Sequence, residues 1–174
     1  MRNGHKSIIQ IRRYHSPCGD LILGSHDNKL CLCDWATRKN RNKLDKRLQQ
    51  TLQAEYVARE SDVIVVASRQ LDEYFTTKRT SFDIPLLFAG SDFQKVVWSQ
   101  LTQIPYGETL SYGELATVVG RPKSVRAVAN AVGANAISIF VPCHRVLGGG
   151  NKLTGYAGGL ATKSALLNLE RHKK

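Results

Sequence analysis

The first third of the chain alternates short apolar runs with turn signals. The runs lie at residues 8–11, 21–24 and 30–35, and the segments between them are rich in Gly, Pro, Asn and Asp. Apolar runs of this length between such residues are typical of β-strands joined by tight turns. We therefore expect a small antiparallel sheet of three strands near the amino terminus.

Two helical patterns follow the sheet. Across residues 43–59 a large apolar side chain recurs at every fourth position, which predicts one amphipathic helix. A second helix is expected to begin at Ser61, and the basic residues after it suit the negative end of the helix dipole. The side chains expected on its buried face are Val63, Val66, Ala67, Leu71 and Tyr74.

An extended connector separates these elements from the rest of the chain. Residues 82–90 combine apolar side chains with Pro85, a composition that favours neither a regular helix nor a central strand. We place the domain boundary here. The expected units are an N-terminal α/β domain over residues 1–88, a linker over residues 89–92 and a C-terminal domain over residues 93–174.

Helix caps organise the C-terminal domain. Ser91 is expected to cap a helix that residues 105–107 end, and Ser111 with Glu114 has the spacing of a capping box. After a Gly/Pro turn, Ser124 is expected to cap one further helix. A helix, a tight turn and a helix form the spacing of a helix-turn-helix.

The predicted fold class is therefore α+β. It combines a small N-terminal antiparallel sheet with helices and a C-terminal helical, winged-helix-like domain that contains the helix-turn-helix. The second helix of that motif, residues 125–133, is rich in alanine. Small side chains allow its backbone to lie close to a groove wall, and they are equally typical of helix–helix packing. The pattern alone leaves both interpretations open.

A cysteine follows the most apolar stretch of this domain. Residues 137–141 predict a buried strand that stops at Pro142, which cannot donate to a strand ladder. Cys143 would lie at the strand end beside His144, with Arg145 nearby. Such neighbours lower the pKa of a thiol and make it a nucleophile. The alternative is a small buried cysteine next to a loop histidine.

The last helix carries a carboxylate on its apolar side. A terminal helix is expected from Thr162 onward, and Leu166 and Leu167 place Glu170 on its inward face. A buried carboxylate needs a partner, and an imidazole is suitable. A solvated Glu170 on a fraying helix end is the alternative.

The charge balance favours a polyanionic partner. The chain of 174 residues has 25 Lys and Arg against 14 Asp and Glu, a formal net charge of +11. This excess suggests nucleic acid first and an acidic membrane surface second. No apolar run reaches membrane-spanning length and no signal-peptide core follows residues 1–6, so we expect a cytoplasmic protein that does not cross a membrane.

The cysteines suit a reducing compartment. In such a location the four cysteines are expected to be thiols rather than disulfides. Cys31 and Cys33 point to the same side of a strand, which makes a structural metal with Cys18, His15 or His26 conceivable. The spacing is not that of a zinc knuckle, and we expect no metal.

Several motifs of the second half resemble one family when taken together. They are residues 142–146 (Pro-Cys-His-Arg-Val), preceded by Ser111-Tyr112, residues 126–128 and Asn135, and followed by residues 156–159 (Tyr-Ala-Gly-Gly) and Glu170. Their order and identity resemble the O6-alkylguanine-DNA alkyltransferases, also called methylated-DNA–protein-cysteine methyltransferases. The resemblance covers the chain from about Phe93 to Glu170.

This resemblance implies a DNA-repair protein that is consumed by its reaction. Cys143 would accept the alkyl group irreversibly, and His144 would take the thiol proton through a water. Glu170 would orient the imidazole, and Asn135 would brace the helix-turn-helix against the active-site loop. Tyr112 would help to rotate the target nucleotide and donate a proton to the leaving guanine. No cofactor is implied, since the damaged base carries the alkyl group.

The resemblance also implies a DNA-binding surface and a base-binding pocket. Arg126 would enter the base stack in place of the flipped nucleotide, and the second helix would lie in the minor groove. The other residues of that surface are Ser124, Ala127, Ala129 and Asn130. The extruded guanine would be held by Val146, Tyr156, Ala157 and Gly158.

The expected partner is double-stranded DNA that carries O6-alkylguanine, bound by a chain that is monomeric in solution. Activity on O4-methylthymine and cooperative binding to DNA stay open. Two other functions are compatible with some of the residues. One is a protein that binds alkylated DNA without chemistry, and the other is a Cys-His hydrolase.

Overall fold

The computed structural model describes residues 6–172. Residues 1–5, which belong to the segment expected to lack a signal-peptide core, and residues 173–174 lie outside the described part. None of the helices between residues 6 and 172 combines the length and the apolar character that crossing a bilayer requires.

The predicted meander forms three strands of a four-stranded sheet. These strands are β1 (Ser7–Ser16), β2 (Gly19–His26) and β3 (Lys29–Trp35), and both neighbouring pairs are antiparallel. Asp27 and Asn28 join β2 to β3 with φ of 48° and 59°. Two consecutive residues with positive φ produce the twist that a two-residue hairpin needs, and Asn and Asp tolerate this conformation.

The single helix expected over residues 43–59 is wrong. Helix α1 (Arg41–Leu52) ends where Gln53 takes a φ of 48°, and the next residues form strand β4 (Ala54–Ala58). Strand β4 lies parallel to β1, and the sheet order is β3-β2-β1-β4. The backbone groups of residues 54–58 pair with the open edge of β1, and this tertiary pairing outweighs the local helical periodicity.

The second predicted helix is present as α2 (Asp62–Phe75). The Ser61 side chain accepts a hydrogen bond from the backbone N–H of Ile64, as an N-cap does. The expected core residues Ala67, Leu71 and Tyr74 are buried. Val63 and Val66 are only partly buried, and the remaining buried positions of the helix belong to Ile64 and Gln70.

The described residues of the second half form four α-helices, a short parallel strand pair and two short 3₁₀ segments, Cys143–Arg145 and Gly149–Asn151. The helices are α3 (Asp92–Leu101), α4 (Tyr112–Val118), α5 (Val125–Gly133) and α6 (Leu160–Arg171). The strands are β5 (Leu110–Ser111) and β6 (Val146–Leu147). With the N-terminal sheet, this arrangement confirms the α+β class.

Of the three serines expected to cap these helices, two make the capping hydrogen bond with their side chains. Ser91 and Ser111 each form a capping box with the residue three positions later. Ser124 occupies the N-cap position of α5, but its side chain makes no capping hydrogen bond. The expected cap position and helix bounds are thus present, but the side-chain hydrogen bond is absent, because the backbone conformation of Ser124 (φ −117°, ψ 39°) departs from the extended geometry of an N-cap.

The strand expected over residues 137–141 is also wrong. Ile137 makes one bridge to Cys33, and the chain then turns at Ile139, which has a φ of 72°. The Phe140 N–H donates to the Ser138 carbonyl across this turn. Such a γ-turn with positive φ is rare and strained for a β-branched residue.

The segment that precedes Cys143 lies against the edge of the N-terminal sheet. The Cys33 N–H donates to the Ala136 carbonyl, and the Ser138 N–H donates to the Cys33 carbonyl. At the start of β3, Leu30 pairs in the same way with the connector, at Pro85 and Leu87. These contacts cover an otherwise open strand edge and attach the cysteine segment to the sheet.

Candidate active site

Glu170 lies at the centre of a buried hydrogen-bond network. His144 Nε2 is 2.7 Å from its Oε1, and Arg145 contacts both carboxylate oxygens, at 2.9 Å through Nε and 2.8 Å through Nη2. The Tyr74 hydroxyl donates to Oε1 and the Gly107 N–H donates to Oε2. The inward position predicted for Glu170 and its imidazole partner are both present. Tyr74 and Gly107 were not anticipated, since only tertiary packing brings α2 beside α6.

This network fixes the protonation of the carboxylate. Burial disfavours the ionised form, but the hydrogen bonds and charges of His144 and Arg145 outweigh it and lower the pKa of Glu170 to about 2. Burial lowers the pKa of His144 below its usual value, and Glu170 opposes part of that effect. An ionised Glu170 therefore holds a neutral imidazole at neutral pH. Because Nε2 faces Glu170, Nδ1 is the nitrogen left to take a proton, and it has no hydrogen-bond partner within residues 6–172.

The expected role of Arg145 beside the thiol is wrong. Its guanidinium is occupied by Glu170 and by the Ile104 carbonyl, to which Nη1 donates at 2.6 Å. The side chain is nearly fully buried in this arrangement. Arg145 thus stabilises the ionised carboxylate.

Cys143 begins a short 3₁₀ turn that ends at Arg145 and lies at the floor of a pocket. Only 7% of its surface is exposed. Burial raises the pKa of the Cys143 thiol, and Asn135, Lys163 and Arg38 lower it in part. The expectation of a lowered thiol pKa is therefore wrong for the free protein. The resting pair is a neutral thiol beside a neutral imidazole.

Asn135 connects the end of α5 to the cysteine segment. Its side-chain N–H donates to the Val141 carbonyl at 2.9 Å, and its side-chain oxygen accepts from the Ile137 N–H at 3.0 Å. Two backbone groups on either side of the Ile139 turn are thereby held by one amide. Because the donor and the acceptor of this buried amide are both hydrogen-bonded to the backbone, the side chain keeps the turn in one conformation.

The pocket above Cys143 has a volume of about 770 Å³. This is large enough for a purine with its substituent. Of the residues expected to act, those that line it are Tyr112, Arg126, Ala129, Asn130, Asn135, Cys143, Tyr156 and Ala157. His144 and Glu170 lie buried behind the cysteine. Ser124, Ala127, Val146 and Gly158 do not line the pocket.

Three of the residues outside the pocket have other surroundings. Ala127 is exposed on the open face of α5. The Val146 carbonyl accepts a hydrogen bond from the ammonium of Lys163 at 2.6 Å. Gly158 lies against the Trp35 indole, where an added Cβ would come within 2.9 Å of the ring.

Lys163 is a buried cation that the sequence pattern did not reveal. Its ammonium donates to the Val146 and Thr154 carbonyls, and it lies 5.9 Å from the centre of the Tyr112 ring. Burial lowers the pKa of Lys163. Lys163 thereby ties the loop around Thr154, which forms one wall of the pocket, to β6. An amphipathic pattern assigns a lysine to the solvent face, so no sequence signal pointed to this residue.

The N-terminal domain supplies further support for the pocket. Trp35 Nε1 donates to the Tyr156 hydroxyl at 3.1 Å. Arg38 Nη2 donates to the Gly133 carbonyl and Arg47 Nη2 donates to the Ala134 carbonyl, at 2.6 and 2.7 Å. Two guanidinium groups therefore lie at the C-terminal end of α5, where the helix dipole favours positive charge.

Family models match both halves of the chain. Residues 11–88 match the 6-O-methylguanine DNA methyltransferase, ribonuclease-like domain, and residues 92–172 match the DNA binding domain of the same enzyme. The chain belongs to the 6-O-methylguanine DNA methyltransferase family. The resemblance inferred from the residue motifs is thus confirmed.

Individual relatives of this methyltransferase family cover nearly the whole chain. A methylated-DNA–protein-cysteine methyltransferase of Methanosarcina barkeri is 42% identical over 90% of this chain and 94% of its own length. That of Mycobacterium tuberculosis is also 42% identical, over 95% of this chain and 94% of its own length. A crystal structure of Mycobacterium tuberculosis OGT in complex with DNA has a TM-score of 0.81 and 41% identity, and the match covers 93% of this chain and 92% of that one.

The cysteines of the sheet show no sign of a metal centre. All four cysteines of this methyltransferase-family chain are free thiols, and Cys31 and Cys33 are packed in the core. Within residues 6–172, no cluster of three or more His, Cys, Asp or Glu side chains has the geometry of a metal site.

Proposed function

We propose that this protein repairs DNA by transferring the alkyl group of an O6-alkylguanine irreversibly to Cys143. The observation that carries the proposal is the position of Cys143: a thiol that lines a pocket large enough for a purine, with the His144–Glu170 pair buried behind it. Family membership supports the reaction type. The pocket opens beside α5, the second helix of the helix-turn-helix, which supports DNA as the carrier of the base.

The transfer is a displacement at the alkyl carbon. The sulfur of Cys143 forms a bond to that carbon while the carbon–O6 bond breaks, and the electron pair of the broken bond stays with guanine. His144 Nδ1 takes the thiol proton, with a water as the relay that the family resemblance implies. Tyr112 donates a proton to the leaving base, so guanine departs neutral. The product is a thioether, which water does not cleave, and each chain therefore reacts once.

The base must leave the duplex before the sulfur can reach it. Extrusion of a nucleotide costs a few kcal/mol, and a damaged base pair lowers that cost. We assign Arg126 to the vacated position in the stack, because it is exposed on α5 and lies at the mouth of the pocket. Asn130 and Ala129 line the same mouth, and Ser124 and Ala127 extend this side of α5. Tyr156 and Ala157 line the pocket and are placed to contact the extruded purine.

Two of the residues expected to hold the base receive indirect roles. The Val146 carbonyl is engaged by Lys163, and Gly158 packs on Trp35. We propose that Val146 and Gly158 act by positioning the two sides of the pocket. The duplex form of the DNA, a monomeric protein and a cytoplasmic location belong to the same proposal.

The test is transfer of labelled methyl from O6-methylguanine in duplex DNA. We expect the protein to gain label up to one methyl per chain and then stop, with a mass increase of about 14 Da on the peptide that contains Cys143. Cys143→Ala abolishes the transfer. Cys31→Ala is the matched control, because Cys31 is a buried thiol outside the pocket.

Other outcomes would identify other functions. Repeated turnover with release of the methyl group would identify a hydrolase. Tight binding of the damaged duplex without label on the protein would identify a non-catalytic binding protein. Either result contradicts the proposal.

A further inference from the structure

Three lysines form a stripe at the start of helix α1. Lys43 and Lys46 lie three residues apart on one face of the helix, and Lys39, which precedes the helix, lines the same groove. Each is exposed. None of them has an acidic partner within ion-pair distance in the described part of the chain, whereas Arg41 pairs with Asp45 on a neighbouring face. The stripe therefore carries uncompensated positive charge.

The stripe borders a groove between α1 and the end of α5. This basic groove has a volume of about 810 Å³. The cationic side chains that line it are Arg38, Lys39, Lys43, Lys46 and Arg47. No acidic side chain of residues 6–172 lines it. The chemistry of the groove thus suits an extended anion.

The basic groove is continuous with the pocket of Cys143. Arg38, Asn130 and Gly133 line both. Arg38 and Arg47 already donate to carbonyl groups at the end of α5, whereas the three lysines of the stripe are free to contact a ligand. A polymer bound along α5 can therefore continue into the groove without leaving the protein surface.

We propose that the basic groove binds the sugar–phosphate backbone of the duplex that presents the damaged base, so that the DNA interface extends from α5 onto the N-terminal domain. The inference rests on the proposed function and adds a second contact surface to it. Lysine is a flexible point charge that binds phosphate without reading sequence, as a contact beside a lesion requires, because lesions occur in any sequence.

A membrane surface suits this stripe less well. Helices that lie on membranes place large apolar side chains beside the basic ones, where they enter the lipid. The exposed large apolar residues within residues 6–172 are Val65, Val96, Val118, Val125, Leu153 and Leu160, and none belongs to α1. Helix α1 can attract acidic headgroups, but it has no large exposed apolar side chain that could insert into the lipid.

The experiment compares the full-length protein with two triple variants. The first combines Lys39→Gln, Lys43→Gln and Lys46→Gln. The control combines Lys29→Gln, Arg69→Gln and Lys78→Gln, which removes the same charge from exposed positions outside the pocket and the basic groove. Binding to undamaged duplex is measured from low to high salt. Transfer is measured with damaged duplex and with free O6-benzylguanine, which has no phosphate.

Each lysine that contacts a phosphate contributes about one to the slope of log K against log salt. In the groove variant we expect the magnitude of this slope to fall by about three. We also expect its affinity for DNA near physiological salt to fall by about tenfold or more. Its transfer rate at low concentrations of damaged duplex falls more than its rate with free O6-benzylguanine. The control variant keeps the wild-type slope.

Three results would overturn the inference. They are an unchanged slope in the groove variant, an equal loss in the control variant, and loss of binding to phosphatidylserine vesicles without loss of binding to DNA. Failure of the proposed function gives a different pattern: the wild-type protein then transfers no alkyl group from duplex DNA or from the free base.

Discussion

At the scale of single residues, the site combines a neutral thiol with a neutral imidazole and an ionised carboxylate that supports the imidazole. Burial raises the pKa of the Cys143 thiol and lowers that of His144, while Glu170 stays ionised between His144 and Arg145. A buried neutral thiol is protected from adventitious alkylation, because the thiolate is the reactive form.

The raised thiol pKa predicts a definite pH dependence. Since burial holds the pKa of the Cys143 thiol above its usual value, the thiol is protonated throughout the neutral range. The ultraviolet absorbance of the thiolate, taken as wild type minus Cys143→Ser, should be absent near pH 7 and appear only at alkaline pH, above the range in which a free cysteine titrates. The rate of alkylation by iodoacetamide at Cys143 should rise over the same range.

A preformed thiolate–imidazolium pair would behave differently. It would give a thiolate signal near pH 7 that Cys143→Ser removes, and an alkylation rate that is flat from weakly acidic to neutral pH. That result would contradict the neutral pair.

At the scale of elements, α4 and α5 differ in how their N-termini are capped. Ser111 closes a capping box in which it accepts from the Glu114 N–H at 3.0 Å and its own N–H donates to Glu114 Oε2 at 2.7 Å. Ser124 occupies the corresponding position of α5 without a side-chain bond. The helix-turn-helix is thus anchored at the start of its first helix and, by Arg38 and Arg47, at the end of its second.

This difference gives a matched pair of substitutions. Ser111→Ala should reduce the free energy of unfolding by about 1 kcal/mol, because the capping hydrogen bond to the Glu114 N–H is lost. Ser124→Ala should leave it nearly unchanged. Urea denaturation of both variants measures the two values, and an unchanged free energy of unfolding in Ser111→Ala would show that the capping hydrogen bond of Ser111 does not stabilise α4.

At the scale of the whole molecule, the N-terminal domain forms part of the site. Strand β3 hydrogen-bonds the segment before Cys143, Trp35 supports the loop with Tyr156, and two arginines reach the end of α5. The pocket itself is lined by residues of the second half of the chain and by Arg38, and these contacts support it from the N-terminal side. The pocket geometry therefore depends on the packing of residues that are far apart in the sequence.

The contact between Gly158 and Trp35 tests this dependence. In Gly158→Ala the new methyl group meets the buried indole at 2.9 Å, so the loop must shift. We expect a loss of about 1–3 kcal/mol in the free energy of unfolding and a slower reaction with free O6-benzylguanine. Gly149→Ala is the control, because an added Cβ there has no heavy atom within 4 Å. Wild-type stability and rate in Gly158→Ala would show that the loop is not held by Trp35.

The sequence by itself determined the local features of this protein. The strands of the meander, the caps at Ser61, Ser91 and Ser111, and the inward face of Glu170 all follow from interactions between residues close in the chain. The motifs around Cys143 also identified the family. Such features are readable because turn chemistry, capping and amphipathic periodicity act over a few residues.

Only the tertiary structure decided the rest. Residues 54–58 form a strand because the edge of β1 is available, and residues 137–141 turn at Ile139 because β3 and Asn135 hold that turn. Arg145 and Lys163 are buried cations whose partners are supplied by distant elements. The thiol pKa likewise depends on burial and on charges from both domains, which no spacing along the chain specifies.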